Sequence, residues 1–141
     1  MRTLGLDYGS KTVGVAVTDP LGLTAQGVEI IRRQKENHLR KTYQRIGELC
    51  KQYDVEKIVL GLPLNMDDTM GDRAEKTLEF KKELERRFSV PVLLVDERLT
   101  TVEAIEIMDD AGIKVNEREK YVDMIAATII LQDYMNSHEG K

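Results

Sequence analysis

The spacing of the first apolar runs constrains the fold most strongly. Thr3 to Asp7 and Val13 to Val17 are separated only by Tyr8-Gly9-Ser10-Lys11-Thr12. A glycine-containing linker that short has no room for a crossover helix, so the two runs are expected to pair as an antiparallel hairpin. Asp19-Pro20-Leu21-Gly22 is a second turn signal, and Val28 to Ile31 reads as a third strand. Beyond it the period changes. Leu39, Tyr43, Ile46, Cys50 and Tyr53 recur at helical spacing after Asn37, a candidate N-cap. Ile58-Val59-Leu60 is a short strand ending in Gly61-Leu62-Pro63. A charged helix follows from about residue 72 to 88, with Ala74, Leu78, Leu84 and Phe88 as its thin apolar face. Pro91 opens a last strand, Val92 to Val95. Thr100 and Glu103 have the spacing of a capping box for a helix that should stop near Gly112. Asn116 and Glu119 repeat that pattern before a final helix through Val122, Ile125, Ala126, Ile129 and Ile130, and the polar residues from Asn136 read as a frayed tail.

Strands that alternate with helices favour parallel crossover units. The expected architecture is therefore α/β, with a central mixed five-stranded sheet flanked by helices. With 141 residues, 41% of them hydrophobic, the chain reads as a single domain (1-141), and domains of this size bury roughly 68–70% of their unfolded surface. No internal repeat or linker interrupts it. Cys50 is the only cysteine, which rules out an intrachain disulfide and fits a reducing compartment; its place on the helical stripe favours core packing. There is no secretory signal pattern and no apolar run near the ~20 residues that span a bilayer. The expectation is a soluble, cytoplasmic protein with no membrane partner.

The net charge of -4 argues against a protein whose main task is to coat nucleic acid, but a metal-dependent enzyme acting on it can carry excess carboxylates. Basic residues cluster as Arg32, Arg33, Lys35, Arg40, Lys41 and Arg45, and again as Lys81, Lys82, Arg86 and Arg87. Both groups read most simply as solvated helix faces.

Three acids stand out by context. Asp7 ends the first strand and Glu97 follows the last one, and ligand sites gather at strand carboxyl ends in open α/β sheets. Asp123 lies within the apolar run Val122-Asp123-Met124-Ile125-Ala126-Ala127, where a buried carboxylate needs a partner or a metal. A turn or cap role for Asp7, a turn role for Asp96 beside Glu97, and a salt bridge from Asp123 to Arg118 or Lys120 are the structural alternatives. Carboxylates without a histidine or cysteine cluster suit hard cations such as Mg2+ or Mn2+. Two such ions about 4 Å apart can stabilise the attacking and leaving oxygens of a phosphodiester displacement. His38 and His138 offer no catalytic triad.

Four segments in order, Asp7 to Val17, Gly61-Leu62-Pro63-Leu64-Asn65-Met66-Asp67, Asp96-Glu97-Arg98-Leu99-Thr100-Thr101 and Val122 to Ala127, resemble the YqgF family of pre-16S rRNA nucleases, whose members are also described as Holliday junction resolvases. The resemblance covers nearly the whole chain. It implies an RNase H-like fold and a metal-dependent nuclease that matures the 5′ end of small-subunit ribosomal RNA, with Asp7, Glu97 and Asp123 as catalytic residues and metal ligands. Lys11, Arg73 and Arg98 are the candidate substrate-binding residues; Arg73 and Arg98 could equally serve as structural ion-pair partners. Two departures stand out. Asp68 replaces a glycine usual in the family, and Glu117 and Glu119 interrupt the basic pair Arg118 and Lys120. The substrate alternatives are pre-rRNA and branched DNA, the latter implying a homodimer to make paired cuts. A non-catalytic RNase H-like binding module is the rival class. The Asp-x-Gly loop also resembles the phosphate loop of actin-like ATPases and sugar kinases, which need two such lobes.

Overall fold

A computed structural model describes residues 2–63, 70–97, 100–115, 117 and 121–138. The elements run β1 (Arg2–Tyr8), β2 (Thr12–Thr18), β3 (Ala25–Arg32), α1 (Arg40–Gln52), β4 (Val55–Leu62), α2 (Asp72–Phe88), β5 (Val92–Asp96), α3 (Thr100–Asp110) and α4 (Val122–His138). The sheet is five-stranded, in the order β3-β2-β1-β4-β5. β1 pairs antiparallel with β2, and β2 with β3. β4 pairs parallel with β1 and with β5. The mixed sheet expected from the linker lengths is the one found.

Alternation along β1 and β2 sorts the interior into two layers. Leu4, Leu6 and Tyr8 point one way with Val13, Val15 and Val17, and meet Tyr43, Ile46 and Leu49 of α1 and Phe80 and Leu84 of α2. Tyr8 stacks on Phe80 with ring centroids 4.0 Å apart. On the opposite side Ala16 and Val59 meet Ala127, Ile130, Leu131, Tyr134 and Met135 of α4. Ala104 and Met108 of α3 are fully buried, and α3 packs on α4. Covered by the sheet on one side and by α3 on another, α4 is apolar around most of its circumference.

Several boundaries differ from the sequence reading. Leu39, not Asn37, occupies the N-cap position of α1, and no side chain caps it. The buried positions of α2 are Ala74, Thr77, Phe80 and Leu84, so Phe80 rather than Leu78 supplies the core contact. α4 extends to His138, past the expected fraying point, because Tyr134 and Met135 are buried against the sheet. Gly112 ends α3 in a left-handed conformation, at φ 75°, where a glycine stop was expected. The side chains of the Thr100–Glu103 capping box and the Asn116–Glu119 pattern lie outside the described residues. Among the described residues no helix is long and apolar enough to cross a membrane.

Candidate metal centre

Asp7 lies near the carboxyl end of β1, in register with Gly14 of β2. On its other side, continuing the pairing Leu6↔Leu60 brings Gly61 of β4 level with it. Each flanking glycine makes room for another acid. A Cβ on Gly14 would lie 1.9 Å from the main-chain oxygen of Asp123, so the first turn of α4 rests directly on the backbone of β2. A Cβ on Gly61 would lie 2.5 Å from Cδ1 of Ile130 in α4, 2.8 Å from Cδ of Glu97 and 2.9 Å from its Oε2. Glu97 follows β5, and its N–H donates to the carbonyl of Leu62 at 3.2 Å. From there its side chain crosses over β4, in the space a side chain at 61 would fill, and hydrogen-bonds the carboxylate of Asp7.

Asp123 stands in the first turn of α4, not in the interior of the helix as the apolar run suggested, and it is half-buried. A negative side chain there is favoured by the helix dipole. Its Oδ2 accepts the hydroxyl of Thr12. The alternative partners Arg118 and Lys120 lie outside the described residues. Thr12 was visible in the sequence only as the residue after Lys11, and its period-2 alternation with Gly14 is the signal that puts it on the α4 face.

The electrostatics follow from this packing. Burial pushes the Asp7 carboxyl up to about 6; the hydrogen bond from Glu97 opposes the rise, the charge of Asp123 adds to it, and Arg73 opposes it. Burial and the neighbouring charge of Asp7 push Glu97 up to about 9, helped by the hydrogen bond it donates to Asp7. At neutral pH and without a cation, the pair therefore shares one proton. Asp123 acts electrostatically on both. Among the described residues no three His, Cys, Asp or Glu side chains form a ready-made metal cage. What is present is two carboxyls in contact and a third acid within electrostatic reach. All the donors are oxygen, and the pair is protonated for want of positive charge, so the residues fit a hard divalent cation.

The candidate substrate-binding residues fare differently. Lys11 is exposed in the β1–β2 turn. Arg73, at the start of α2, donates from Nη1 to Glu36 at 2.7 Å and from Nη2 to the carbonyl of Tyr8 at 3.4 Å, and its charge reaches both Asp7 and Glu97. Arg98, like Asp68, lies outside the described residues. The second basic group is a solvated face, with Lys81 paired to Glu85 and both Arg86 and Arg87 to Glu83. The first group is not uniform. Arg45 is tied to Glu29 and Glu48, while Arg33 is drawn in beside Tyr8. Its run of neighbouring charges hid that in the sequence.

A family model described as "RuvX: Holliday junction resolvase" matches residues 1–137. A protein of Lachnospira eligens named "Putative pre-16S rRNA nuclease" is 52% identical over 139 residues, covering 99% of each chain. Its namesake in Clostridium acetobutylicum is 48% identical over 137 residues, 97% of this chain and 99% of the other. Among solved structures, Thermus thermophilus RuvC in complex with a Holliday junction superposes with a TM-score of 0.63 at 16% identity, covering 99% of this chain and 97% of that one. Fowlpox virus resolvase with its junction DNA gives 0.58 at 14% identity, over 97% and 98% of the two chains. These structural likenesses extend to the fold.

Proposed function

We propose that this chain, which belongs to the RuvX family, is a divalent-metal-dependent nuclease that trims the 5′ end of pre-16S rRNA in the cytoplasm. The observation that carries the metal reading is the buried Asp7–Glu97 pair, two carboxyls held in contact at strand carboxyl ends and short of positive charge. The RNA reading rests on relatives about half identical over nearly their full length that bear a pre-16S rRNA nuclease name.

Asp7, Glu97 and Asp123 hold Mg2+ or Mn2+, with two ions as the expected complement. Bound there, such ions would polarise the scissile phosphate and lower the pKa of an attacking water. The chain does the rest. Asp7 and Glu97 give up their shared proton as the cation is taken. Thr12 fixes the rotamer of Asp123 through its hydroxyl. Gly14 and Gly61 set how closely Asp123 and Glu97 approach Asp7. Arg73 supports the negative site from α2 and, with exposed Lys11 and with Arg98, contacts substrate phosphates.

The family description makes four-way junction DNA the competing substrate, for which a two-fold pair of chains would be needed. Cleavage of labelled 5′-extended RNA and of junction DNA, with manganese, magnesium and chelator, separates the two. Asp7→Asn should lose at least about a hundredfold in rate, since even partners one shell out from a metal cost 10–100-fold. Full activity in a folded Asp7→Asn protein sinks the metal site. Cleavage of junctions but not RNA reverses the substrate assignment.

A further inference from the structure

Next to the acids lies a group of cations, Arg33, Arg73 and Lys76, of which the nuclease reading uses Arg73 alone. Arg33 follows β3, and its side chain spans two main-chain carbonyls. Nη2 donates to Gly9 at 2.6 Å and Nε to Glu36 at 3.0 Å. Arg73 approaches from α2 and takes the Glu36 carboxylate, which also accepts Lys76 Nζ at 3.0 Å. Both guanidinium carbons lie close to the Tyr8 ring, at 5.1 Å for Arg33 and 4.9 Å for Arg73. Tyr8 directly follows Asp7 in β1, which puts this cluster at the same end of the sheet as the acids.

Arg73 and Lys76 thus share one carboxylate, while Arg33 donates to main-chain carbonyls. Among the described residues, Arg33 Nη1 and Arg73 Nε are buried and meet no hydrogen-bond acceptor. An unpaired buried donor on a charged group is costly, so such a cluster is short of an acceptor-rich anion. Burial holds the Arg33 guanidinium below its usual value, and the charge of Arg73 adds to that effect. Glu36, the acid that pairs with Arg73 and Lys76, has its side chain 37% exposed, at the solvent edge.

The surroundings give the anion a direction. On one side a groove of about 620 Å3 is lined by Arg32, Arg33, His38, Arg40 and Lys41 with no carboxylate among its lining residues. On the other side a cavity of about 470 Å3 is lined by Glu79 and Glu83 as well as Glu36. The second cavity sets Lys76 against three carboxylates, so a polyanion passing over Arg33 meets net positive charge on the first path.

We infer that Arg33 and Arg73 form a subsite for a backbone phosphate of the nucleic acid, and that the Glu36 carboxylate stands in for that phosphate until substrate displaces it. The strand then continues along the Arg32–Arg40–Lys41 groove. This inference rests on the reading of the chain as a protein that acts on nucleic acid, but not on cleavage. A backbone phosphate offers two anionic oxygens on a tetrahedral centre that is not tethered to the chain, so it can sit between the two guanidiniums, where the Glu36 carboxylate at the solvent edge pairs with Arg73 and Lys76.

The test is binding of a short fluorescein-labelled single-stranded RNA to metal-free protein, by anisotropy across a salt series. If Glu36 competes with phosphate, Glu36→Gln tightens binding about threefold to fivefold, the range of an exposed ion pair. If Glu36 instead merely anchors the arginines in place, the same variant binds more weakly. Arg33→Gln should weaken binding about tenfold and reduce the salt slope by about 0.7. Arg33→Lys should keep the slope and lose part of the affinity, because an ammonium lacks the guanidinium fork. Arg33 braces two carbonyls, so thermal melts accompany each variant; should Arg33→Gln not fold, Glu36→Gln still decides. Unchanged or weaker binding in a folded Glu36→Gln protein overturns the inference, as does wild-type binding in Arg33→Gln. Cleavage with manganese is scored separately. Protein that binds in the expected pattern but never cuts removes the nuclease reading and leaves the subsite standing; protein that cuts but ignores both substitutions removes the subsite alone.

Discussion

On the face of the sheet toward α1 and α2, β1 presents Leu4, Leu6 and Tyr8; on the face toward α4 the same strand presents Gly5 and Asp7. The first face is filled by interlocking side chains, and helices α1 and α2 stand off from the strands at the distance those side chains set. The second keeps Val59 on β4 but presents glycine and alanine at Gly5, Gly14 and Ala16 of β1 and β2, so that α4 lies close on their backbone. A Cβ at Gly5 would come within 2.8 Å of Leu131 Cβ, and one at Gly14 within 1.9 Å of the Asp123 carbonyl oxygen. Large side chains hold the molecule together on one side. Their absence on the other brings a helix terminus and a strand end into reach of Asp7. Stability and site geometry are thus assigned largely to opposite faces of one sheet.

Substitution on the site face tests that division with the largest effect. Gly14→Ala puts a methyl where the backbone of Asp123 now sits, and nothing flexible can yield. The first turn of α4 must lift away. Cleavage should fall at least about a hundredfold, the penalty for an ångström-scale misplacement in an active site, with stability reduced by about 1–3 kcal/mol from overpacking. Rates and melts of the purified variant check both; a variant that cuts like wild type breaks the comparison.

The opposite face should give the opposite pattern. Leu6 is fully buried among large side chains, and Leu6→Ala should cost about 2–5 kcal/mol in denaturant unfolding. Metal-dependent cleavage per folded molecule should change little. A loss of activity matching that of Gly14→Ala, measured well below the melting temperature, would show that the two faces are not separable.

The smallest effect concerns pH. Folded Asp7 and Glu97 keep protons up to about 6 and about 9, against 3.8 and 4.5 for the free groups. The native state therefore binds more protons than the unfolded chain in this window, and stability falls as pH rises. The pair's contribution is complete below the free values and is lost as pH climbs through about 6 and then about 9. Glu97→Gln removes the higher step. Without metal, the wild-type melting temperature should drop relative to that variant between those two values. Added manganese competes with the same protons, so its stabilisation of the wild type should grow over the same range. Parallel melting curves for the two proteins would mean that the carboxyls do not share a site.

The order of the strands and their directions were legible in the chain because they depend on linker length. Five residues between Asp7 and Val13 allow only a hairpin, and the helical periods between the later strands demand crossovers. Asp7 and Glu97 could be singled out for the same reason: a strand end is a local property. Asp123 was noticed on a premise that the structure changes. It looked like an acid inside a helix and stands instead at the start of one, because a helix boundary depends on contacts with β2 that its own residues do not record. What the chain could not disclose were the distances. That Gly14 leaves room for the main chain of Asp123 and Gly61 for Ile130 and Glu97, that Thr12 holds Asp123, and that Arg33 leaves its run of surface charges to stand beside Arg73 and Glu36 all depend on residues far apart in sequence. Periodicity fixes which face a side chain takes. How near two backbones come across that face is set by the side chains that are missing between them, and only the assembled layers decide it.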